Sequence, residues 1–257
     1  EQYTGRWTPP DLAALGGSAP QHLGGYFGMV KRLDEALGRL FDALRSLDLL
    51  DDTVVLFTSD HGCHFKTRNS EYKRSCHESS IRVPTALCGP GFAGGGQLSE
   101  LVSLIDLPPT LLDAAGLPIP DAMEGRSILP LVRRQAAAWP EEVFVQISES
   151  QVARAIRTAR WKYCVNAPDG VGWRDAGSDH YVEEALYDLH ADPYELQNLA
   201  GIEDLRGVAD DLRDRLIARM VEAGEAAPVI DPAPTRPGFQ RAVSIEEVRR
   251  RYQEHSA

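Results

Sequence analysis

The sequence predicts an α/β core followed by a small antiparallel sheet. A helical stripe runs from Leu23 to Leu47, and the apolar run TVVLFTS, residues 53–59, follows after a short break at Asp51-Asp52. A helix that leads into a strand through a short connection is typical of α/β folds. After Trp139-Pro140 the pattern changes to alternating segments joined by turns rich in glycine and aspartate, which favours an antiparallel sheet with one solvated face.

Residues 1–138 hold the elements of the predicted core. TVVLFTS is β-branched and apolar on both faces, so we expect a parallel strand covered by helices. PTALCG, residues 84–89, is a second predicted strand, and ELVSLID, residues 100–106, is a third and weaker one. The long helix is predicted from apolar residues at steps of three and four: Val30, Leu33, Leu37, Leu40, Phe41, Leu44 and Leu47.

Two shorter helices complete this part of the chain. LPPTLLDAAGLP, residues 107–118, has two prolines suited to a first turn and Gly116 where a C-terminal cap belongs. MEGRSILPLVR predicts another helical fragment near residues 125–134.

Residues 139–225 form the second predicted unit. EVFVQIS, ARAIRTARWKYCVN and EALYDLH are its predicted strands, and residues 204–225 are predicted to form an amphipathic helix. Residues 226–257 contain several prolines and are predicted to be a tail on the surface.

Composition excludes several classes of protein. The chain has 257 residues and a net charge of -11, which disfavours a nucleic-acid partner. No apolar stretch approaches the ~20 residues that a transmembrane helix needs, so we expect a soluble protein. Four cysteines are too few for a disulfide scaffold at this length. The chain begins with Glu1 on a loop-like segment, so we expect sequence upstream, and any export signal would lie there; the compartment is left open.

Asp60 and His61 directly follow the predicted strand TVVLFTS. Ligands of open α/β sheets bind outside the carboxyl ends of the strands, and Gly62 permits the turn that would bring both side chains to one site. A carboxylate oxygen and an imidazole nitrogen suit a divalent cation. The alternative is that Asp60 caps a turn and His61 is an ordinary exposed histidine.

A basic segment, residues 66–82, follows this pair. It contains Lys66, Arg68, Lys73, Arg74 and Arg82 against only Glu71 and Glu78, and either holds an anionic group beside the metal or is a solvated loop. A structural zinc site is disfavoured because Cys and His are adjacent in Cys63-His64 and Cys76-His77. The motif G-x-S-x-G, a Walker loop and G-x-G-x-x-G are all absent from the sequence.

Three ordered segments carry recognisable motifs: the helix and strand that end in TSDHG, the lysine and R-x-P strand of YKRSCHESSIRVPTALCGPG, and the D-x-x-P-T helix of LVSLIDLPPTLLDAAGLPIP. They resemble the sulfatase family of the alkaline-phosphatase superfamily. RTARWKYCVN and EALYDLHADPYELQNLA resemble the family's C-terminal subdomain, for which L-Y-D-L-x-x-D-P-x-E-x-x-N-L is a strong signature.

The resemblance implies a doubly wound α/β core, incomplete in this chain, with a small antiparallel C-terminal subdomain. It also implies hydrolysis of sulfuric esters by a divalent metal, usually Ca²⁺, and a formylglycine nucleophile made from Cys or Ser in C/S-x-P-x-R. Asp60 and His61 match the metal-ligand pair, Lys73 the lysine that holds the sulfate oxygens, and His77 a position near the substrate. We therefore predict Asp60 and His61 as metal ligands and Lys73 and His77 as catalytic and substrate-binding residues. His61 stands where many members have Asn, which leaves room for Mn²⁺.

The sequence departs from the family pattern in its nucleophile. C/S-x-P-x-R does not occur, and the family's early Asp pair and the Lys and His beside the leaving group have no counterpart. We therefore expect the C-terminal part of a sulfatase-like protein, inactive by itself, with apolar faces left uncovered. The expected partner is a small-molecule or glycan sulfate ester. A phosphonate or phosphodiester hydrolase on the same scaffold and a non-catalytic remnant are the open alternatives, and the oligomeric state is undecided.

Overall fold

The computed structural model describes residues 7–92, 94–136 and 138–238, and two helices come first in the described part. α1 covers Pro10–Ala14 and α2 covers Ala19–Ser46. The predicted long helix is thus confirmed, and it begins somewhat earlier than the apolar stripe indicated. None of the helices in the described part of the chain is long and apolar enough to cross a membrane.

Part of the apolar stripe of α2 faces solvent. Leu33 is 58% exposed and Leu40 is 62% exposed, whereas Leu37, Phe41 and Leu44 are partly buried, so the described residues cover the stripe only in part. The expectation of uncovered apolar faces is therefore confirmed for this helix. The pattern correctly predicted a helix, but the surface that would bury its stripe is not among the residues described.

Two short strands follow α2 and pair with each other. β1 covers Val55–Phe57 and β2 covers Ala86–Cys88, and they pair antiparallel with Leu56 opposite Leu87. The prediction of a parallel strand was wrong for this pairing, and neither strand is fully buried. An apolar run reports how much of a strand is expected to be buried, but it carries no information about the direction of the neighbouring strand.

Short helices follow: α3 covers Glu78–Ile81, α4 Leu107–Ala114 and α5 Leu129–Val132. Gly116 has a φ of 69° just beyond α4, which confirms it as the C-terminal cap residue. The third predicted strand is wrong, because Leu104–Asp106 forms a 3₁₀ turn. Asp106 Oδ2 accepts the backbone N–H of Ser103 at 2.8 Å, and such side-chain caps favour a turn over an extended strand.

The second half of the chain builds a five-stranded sheet. β3 (Glu142–Ile147), β4 (Ala153–Thr158), β5 (Trp161–Asn166) and β6 (His180–Asp188) pair antiparallel in that order, and α6 covers Arg206–Glu222. The predicted strands and amphipathic helix are confirmed.

A fifth strand comes from the segment that we predicted to be a surface tail. β7, Val229–Asp231, pairs parallel with β6, so that prediction was wrong for these residues. The strand has only three residues, between Pro228 and Pro232, and so short an apolar run gives no clear strand pattern in the sequence. Prolines beside a strand are acceptable at a sheet edge. The domain boundaries at 138 and 225 stay predictions, and residues 239–257 of the tail lie outside the described range.

Both faces of this sheet are covered, contrary to the predicted solvated face. On one face Ile156, Tyr163 and Leu186 pack with the apolar side of α6. On the other face small side chains, among them Ala155 and Cys164, pack with Cys76 from the basic segment. Small residues give a weak apolar signal in the sequence, yet they allow a second layer to approach the strands closely.

A buried ammonium ties the two halves of the chain together. Lys162 on β5 has no exposed surface, and its Nζ lies 2.8 Å from Glu78 Oε1 and 2.5 Å from Glu195 Oε1. Glu195 Oε2 also accepts the backbone N–H of Glu78 at 2.7 Å. Burial alone would raise the pKa of Glu78, but Lys162 and Arg157 together hold it below its usual value. Burial raises the pKa of Glu195, which has Lys162 but not Arg157 beside it.

We expect Lys162→Met to destabilise the protein strongly, because it leaves two buried carboxylates without their shared cation. Removing one partner of a buried ion pair costs about 3–5 kcal/mol. Urea denaturation of the purified protein measures the change. Lys31→Met is the matched control, since Lys31 is exposed and 3.5 Å from Glu35, and it should stay within about 0.5 kcal/mol of wild type. Equal stabilities of the two variants would contradict the role given to Lys162.

Candidate metal and anion site

The candidate site begins where the chain leaves β1. Thr58 and Thr85, one after β1 and one before β2, have their hydroxyl oxygens 3.0 Å apart. Ser59 Oγ donates to the carbonyl oxygen of His61 at 2.8 Å, and His61 N–H donates to Asp60 Oδ1 at 3.0 Å. These local bonds form a tight turn that holds Asp60 and His61 together at the end of the strand.

Gly62 is required by a close approach of two backbones. Its N–H donates to the carbonyl oxygen of Ser80 at 2.7 Å, and a methyl group on its Cα would overlap the carbonyl oxygen of Ser79. Its φ is not in the left-handed region. We predicted that Gly62 was there to permit a turn, whereas the structure requires it because the Asp60-His61 turn packs directly on α3.

Asp60, His61 and Lys73 lie together, as predicted. Lys73 Nζ is 2.6 Å from His61 Nε2, and His61 Nε2 is 3.3 Å from Asp60 Oδ2. The Asp60 side chain is 82% exposed, so the cluster opens towards solvent. The structure therefore establishes that these three groups converge, while the roles assigned to them stay predictions.

Hydrogen bonds indicate the tautomer of His61. Its Nδ1 lies 2.8 Å from the carbonyl oxygen of Gly62, which can only accept, so Nδ1 carries the proton. Nε2 is then the acceptor, and it receives a hydrogen bond from the Lys73 ammonium. Burial would raise the pKa of the Asp60 carboxyl. The charges of His61 and Lys73, together with the backbone N–H of His61, outweigh this effect and hold that pKa below its usual value.

The two donors of this turn fit a divalent cation. A carboxylate oxygen and an unprotonated imidazole nitrogen 3.3 Å apart can both reach one ion at the ~2.0–2.6 Å typical of protein ligands. No group of three or more His, Cys, Asp or Glu side chains that could hold a metal occurs in the described residues. A metal site on this turn would therefore need ligands in addition to those that the described residues provide.

His77 makes its contacts with the sheet. Its Nε2 is 3.1 Å from the hydroxyl oxygen of Tyr187 on β6, so the ring faces the sheet. Burial, helped by the charges of Arg68 and Lys162, lowers the pKa of His77 to about 2, so the ring is neutral at physiological pH. A catalytic or substrate-binding role for His77 stays a prediction, and its contacts favour a part in joining the two halves of the chain.

Most of the basic segment is already bound by the chain itself. Arg68 donates at 2.8 Å to the carbonyl oxygens of Glu195 and Tyr194, Arg74 pairs with Glu149, and Lys66 lies 4.8 Å from the ring centre of Tyr72. Lys73, by contrast, is the cation of this segment whose ammonium lies against the Asp60-His61 turn. The local excess of positive charge is therefore largely structural.

Sequence reasoning missed the residues that hold Lys73. Its carbonyl oxygen lies 3.0 Å from His64 Nε2 and 3.4 Å from Asn69 Nδ2. No spacing rule predicts a hydrogen bond between a side chain and one particular backbone carbonyl, so no sequence pattern could have indicated this contact.

Comparisons with protein families match almost the whole described chain. A family model described as sulfatase matches residues 2–117. A model described as N-sulphoglucosamine sulphohydrolase, C-terminal, matches residues 70–222, more than half of the chain. The two models overlap across the Lys73 and His77 segment.

Curated relatives give the same result. Human arylsulfatase K is 36% identical over 185 residues, which cover 68% of this chain and 33% of the relative. Choline-sulfatase from Rhizobium meliloti (strain 1021) is 37% identical over 190 residues, covering 72% of this chain and 34% of the relative. The chain thus spans about a third of the length of the curated relatives it matches.

Solved structures extend the similarity to the fold. The protein BT4656, solved with its substrate D-glucosamine-2-N,6-O-disulfate, has a TM-score of 0.66 and 25% identity, covering 84% of this chain and 45% of that one. Phosphonate monoester hydrolase of Agrobacterium radiobacter has a TM-score of 0.63 and 27% identity, covering 77% of this chain and 41% of that one. The incomplete α/β core with a C-terminal antiparallel sheet is therefore confirmed.

We expect His77 to make stability depend on pH in acid. The pKa of His77 is about 2 in the folded state and 6.5 in the unfolded state. Its contribution to the free energy of unfolding is therefore complete above pH 6.5 and is lost as the pH falls from 6.5 towards 2. Between pH 7 and 5 this residue should lower the free energy of unfolding by about 2 kcal/mol. His77→Gln should remove that part of the pH dependence, measured by urea denaturation at each pH.

His190→Gln is the control for this measurement, because His190 is an exposed histidine in the other half of the chain. It should keep the wild-type pH dependence. A His77→Gln variant whose stability falls in parallel with wild type would show that His77 is not buried in its neutral form.

Proposed function

Because the chain belongs to the sulfatase family, we propose that it supplies part of the active site of a metal-dependent sulfuric ester hydrolase. The observation that carries the proposal is the meeting of Asp60, His61 and Lys73 at the end of β1. A potential metal-ligand pair and an ammonium within hydrogen-bond distance of it are what binding of a sulfate ester beside a cation needs.

In this proposal Asp60 and His61 would hold the metal, which would supply Lewis acidity to an oxygen of the sulfuryl group. Lys73 binds the sulfuryl oxygens and offsets the negative charge that grows on them as the ester bond breaks.

The contact between Lys73 and His61 supports a link between metal and substrate binding. His61 Nε2 has one lone pair, and in the structure that lone pair accepts from Lys73. An anion bound by Lys73 would therefore lie beside a cation held by Asp60 and His61.

We propose Ca²⁺ as the metal, with Mn²⁺ as the alternative. Calcium prefers oxygen ligands, and Asp60 offers one. The imidazole of His61 is a softer ligand, more usual for first-row transition metals, and it supports the alternative.

The nucleophile of the proposed reaction is not encoded here. The motif C/S-x-P-x-R does not occur in the sequence, so we propose that the formylglycine is supplied by a part of the protein outside this chain. The chain alone should then be inactive.

The substrate is proposed to be a sulfate ester of a small molecule or a glycan. The sulfated glucosamine held by BT4656 supports the glycan class. The similarity to the Agrobacterium enzyme favours a phosphonate ester as the second candidate substrate. A non-catalytic remnant is the third reading, and the missing nucleophile motif is the feature that favours it.

A substrate panel tests the proposed activity. The full-length protein, loaded with Ca²⁺ or Mn²⁺, should hydrolyse p-nitrophenyl sulfate faster than p-nitrophenyl phenylphosphonate. Lys73→Ala should lower kcat/KM for the sulfate by well over tenfold, since loss of one electrostatic stabiliser typically costs about 2.7–4 kcal/mol. Lys31→Ala, on the exposed face of α2, should keep the wild-type rate. Preference for the phosphonate would favour the second candidate, and wild-type turnover by Lys73→Ala would remove Lys73 from the site.

Metal content tests the ligand assignment independently of turnover. Asp60→Ala should lose the bound metal, measured by elemental analysis after gel filtration, because it removes the carboxylate of the pair. Asp51→Ala, an exposed acid just before β1, is the control and should retain the metal. Unchanged metal content in Asp60→Ala would exclude Asp60 as a ligand.

A further inference from the structure

The ammonium of Lys73 stands at the end of a long, flexible side chain. A lysine has four rotatable side-chain bonds, so the position of its nitrogen depends first on where its backbone is held. In the structure the carbonyl oxygen of Lys73 is 3.0 Å from His64 Nε2 and 3.4 Å from Asn69 Nδ2. Two side chains from one loop thus hold the backbone of the residue that faces the site.

His64 is itself rigidly held. Its side chain has no exposed surface, its backbone N–H donates to the carbonyl oxygen of Tyr72 at 2.8 Å, and its own carbonyl oxygen accepts from Thr67 Oγ1 at 2.7 Å. The loop from His64 to Lys73 is therefore closed on itself by side-chain and backbone bonds. Movement of the Lys73 backbone would require the buried imidazole to move with it.

The next residue fixes the chain on the other side of Lys73. Arg74 has a φ of 66°, a left-handed conformation that restricts the path of the backbone. Its carbonyl oxygen accepts from Asn69 Nδ2 at 3.1 Å and from Ser150 Oγ at 3.0 Å. Lys73 thus lies between two fixed peptide groups, one of which is held by His64.

The imidazole of His64 is chemically suited to this contact. A carbonyl oxygen only accepts, so Nε2 carries the proton and Nδ1 has a lone pair. Nδ1 is buried and has no hydrogen-bond partner in the described part of the chain. A buried acceptor without a partner is unfavourable, and a leucine would fill the same space without it. Burial also lowers the pKa of His64, which keeps the ring neutral.

We propose that His64 is a positioning residue: its Nε2–H bond to the Lys73 carbonyl oxygen places the Lys73 ammonium for binding of the sulfuryl oxygens. This inference rests on the function proposed for Lys73. It assigns to His64 no contact with the substrate, and it predicts that His64 acts through Lys73 alone.

A double-mutant cycle in the full-length, metal-loaded protein tests the proposal. His64→Leu should lower kcat/KM for p-nitrophenyl sulfate about tenfold and weaken inhibition by inorganic sulfate, with metal content unchanged. His64→Gln, which can return an N–H donor to the carbonyl, should recover most of the loss. In a Lys73→Ala background, His64→Leu should cause no further loss, because the group that it positions is already gone.

His22→Leu is the matched control, since His22 contacts the same loop through the ring of Tyr72 but not the Lys73 carbonyl. It should leave the kinetics unchanged. Additive losses in the double variant, or failure of His64→Gln to recover activity while its melting temperature is that of wild type, would overturn the proposal.

Failure of the proposed function is distinguishable from failure of this inference. A wild-type protein that hydrolyses neither ester contradicts the function, and the inference is then decided by crystal structures of the variants. Lys73 Nζ should remain near His61 Nε2 in His64→Gln and move away in His64→Leu. An unchanged ammonium position in His64→Leu would overturn the role of His64.

Discussion

The architecture depends on the buried ammonium of Lys162. This group comes from the sheet, while its two carboxylate partners come from α3 and from the loop after β6, so one charge joins three separate segments. Because Glu78 begins α3, and Gly62 beside the Asp60-His61 turn donates to Ser80 of the same helix, this charge helps fix the candidate site relative to the sheet. A buried cation with two anions is tolerated only when geometry and hydrogen bonds are complete, and this demand makes the arrangement specific.

The signature LYDLHADPYELQNL has a physical meaning in these terms. Asp188 pairs with Arg160 and accepts the backbone N–H of His190, and Asn198 accepts the N–H of Leu186 on the strand itself. The polar residues of the segment therefore fold a loop that delivers Glu195 to Lys162. Tyr187 adds a contact to His77. This signature segment thus contacts the chain beside the site, at His77 and Glu78, and in the described part of the chain it makes no hydrogen bond or ion pair with the Asp60-His61 turn itself.

The sequence predicted those features that depend on residue type and local period. The long helix, the three segments that form β3 to β6 and the convergence of Asp60, His61 and Lys73 follow from apolar patterns and from an ordered set of motifs. Features set by partners far along the chain were missed. The direction of β1, the pairing of Val229–Asp231 with β6 and the covered second face of the sheet all depend on which segment lies alongside, and composition does not encode that. His64 was missed for the same reason, because its partner is a backbone carbonyl.

The uncovered apolar side of α2 has a practical meaning for handling the protein. Exposed apolar side chains of this kind promote self-association and bind hydrophobic dyes in the folded state. Chaperones and quality-control proteases also recognise them. Low yield or rapid turnover of this segment produced by itself would therefore report on the helix surface and not on a defect in the sheet. Charged substitutions at Leu33 and Leu40 would improve its behaviour in solution without touching any residue of the candidate site.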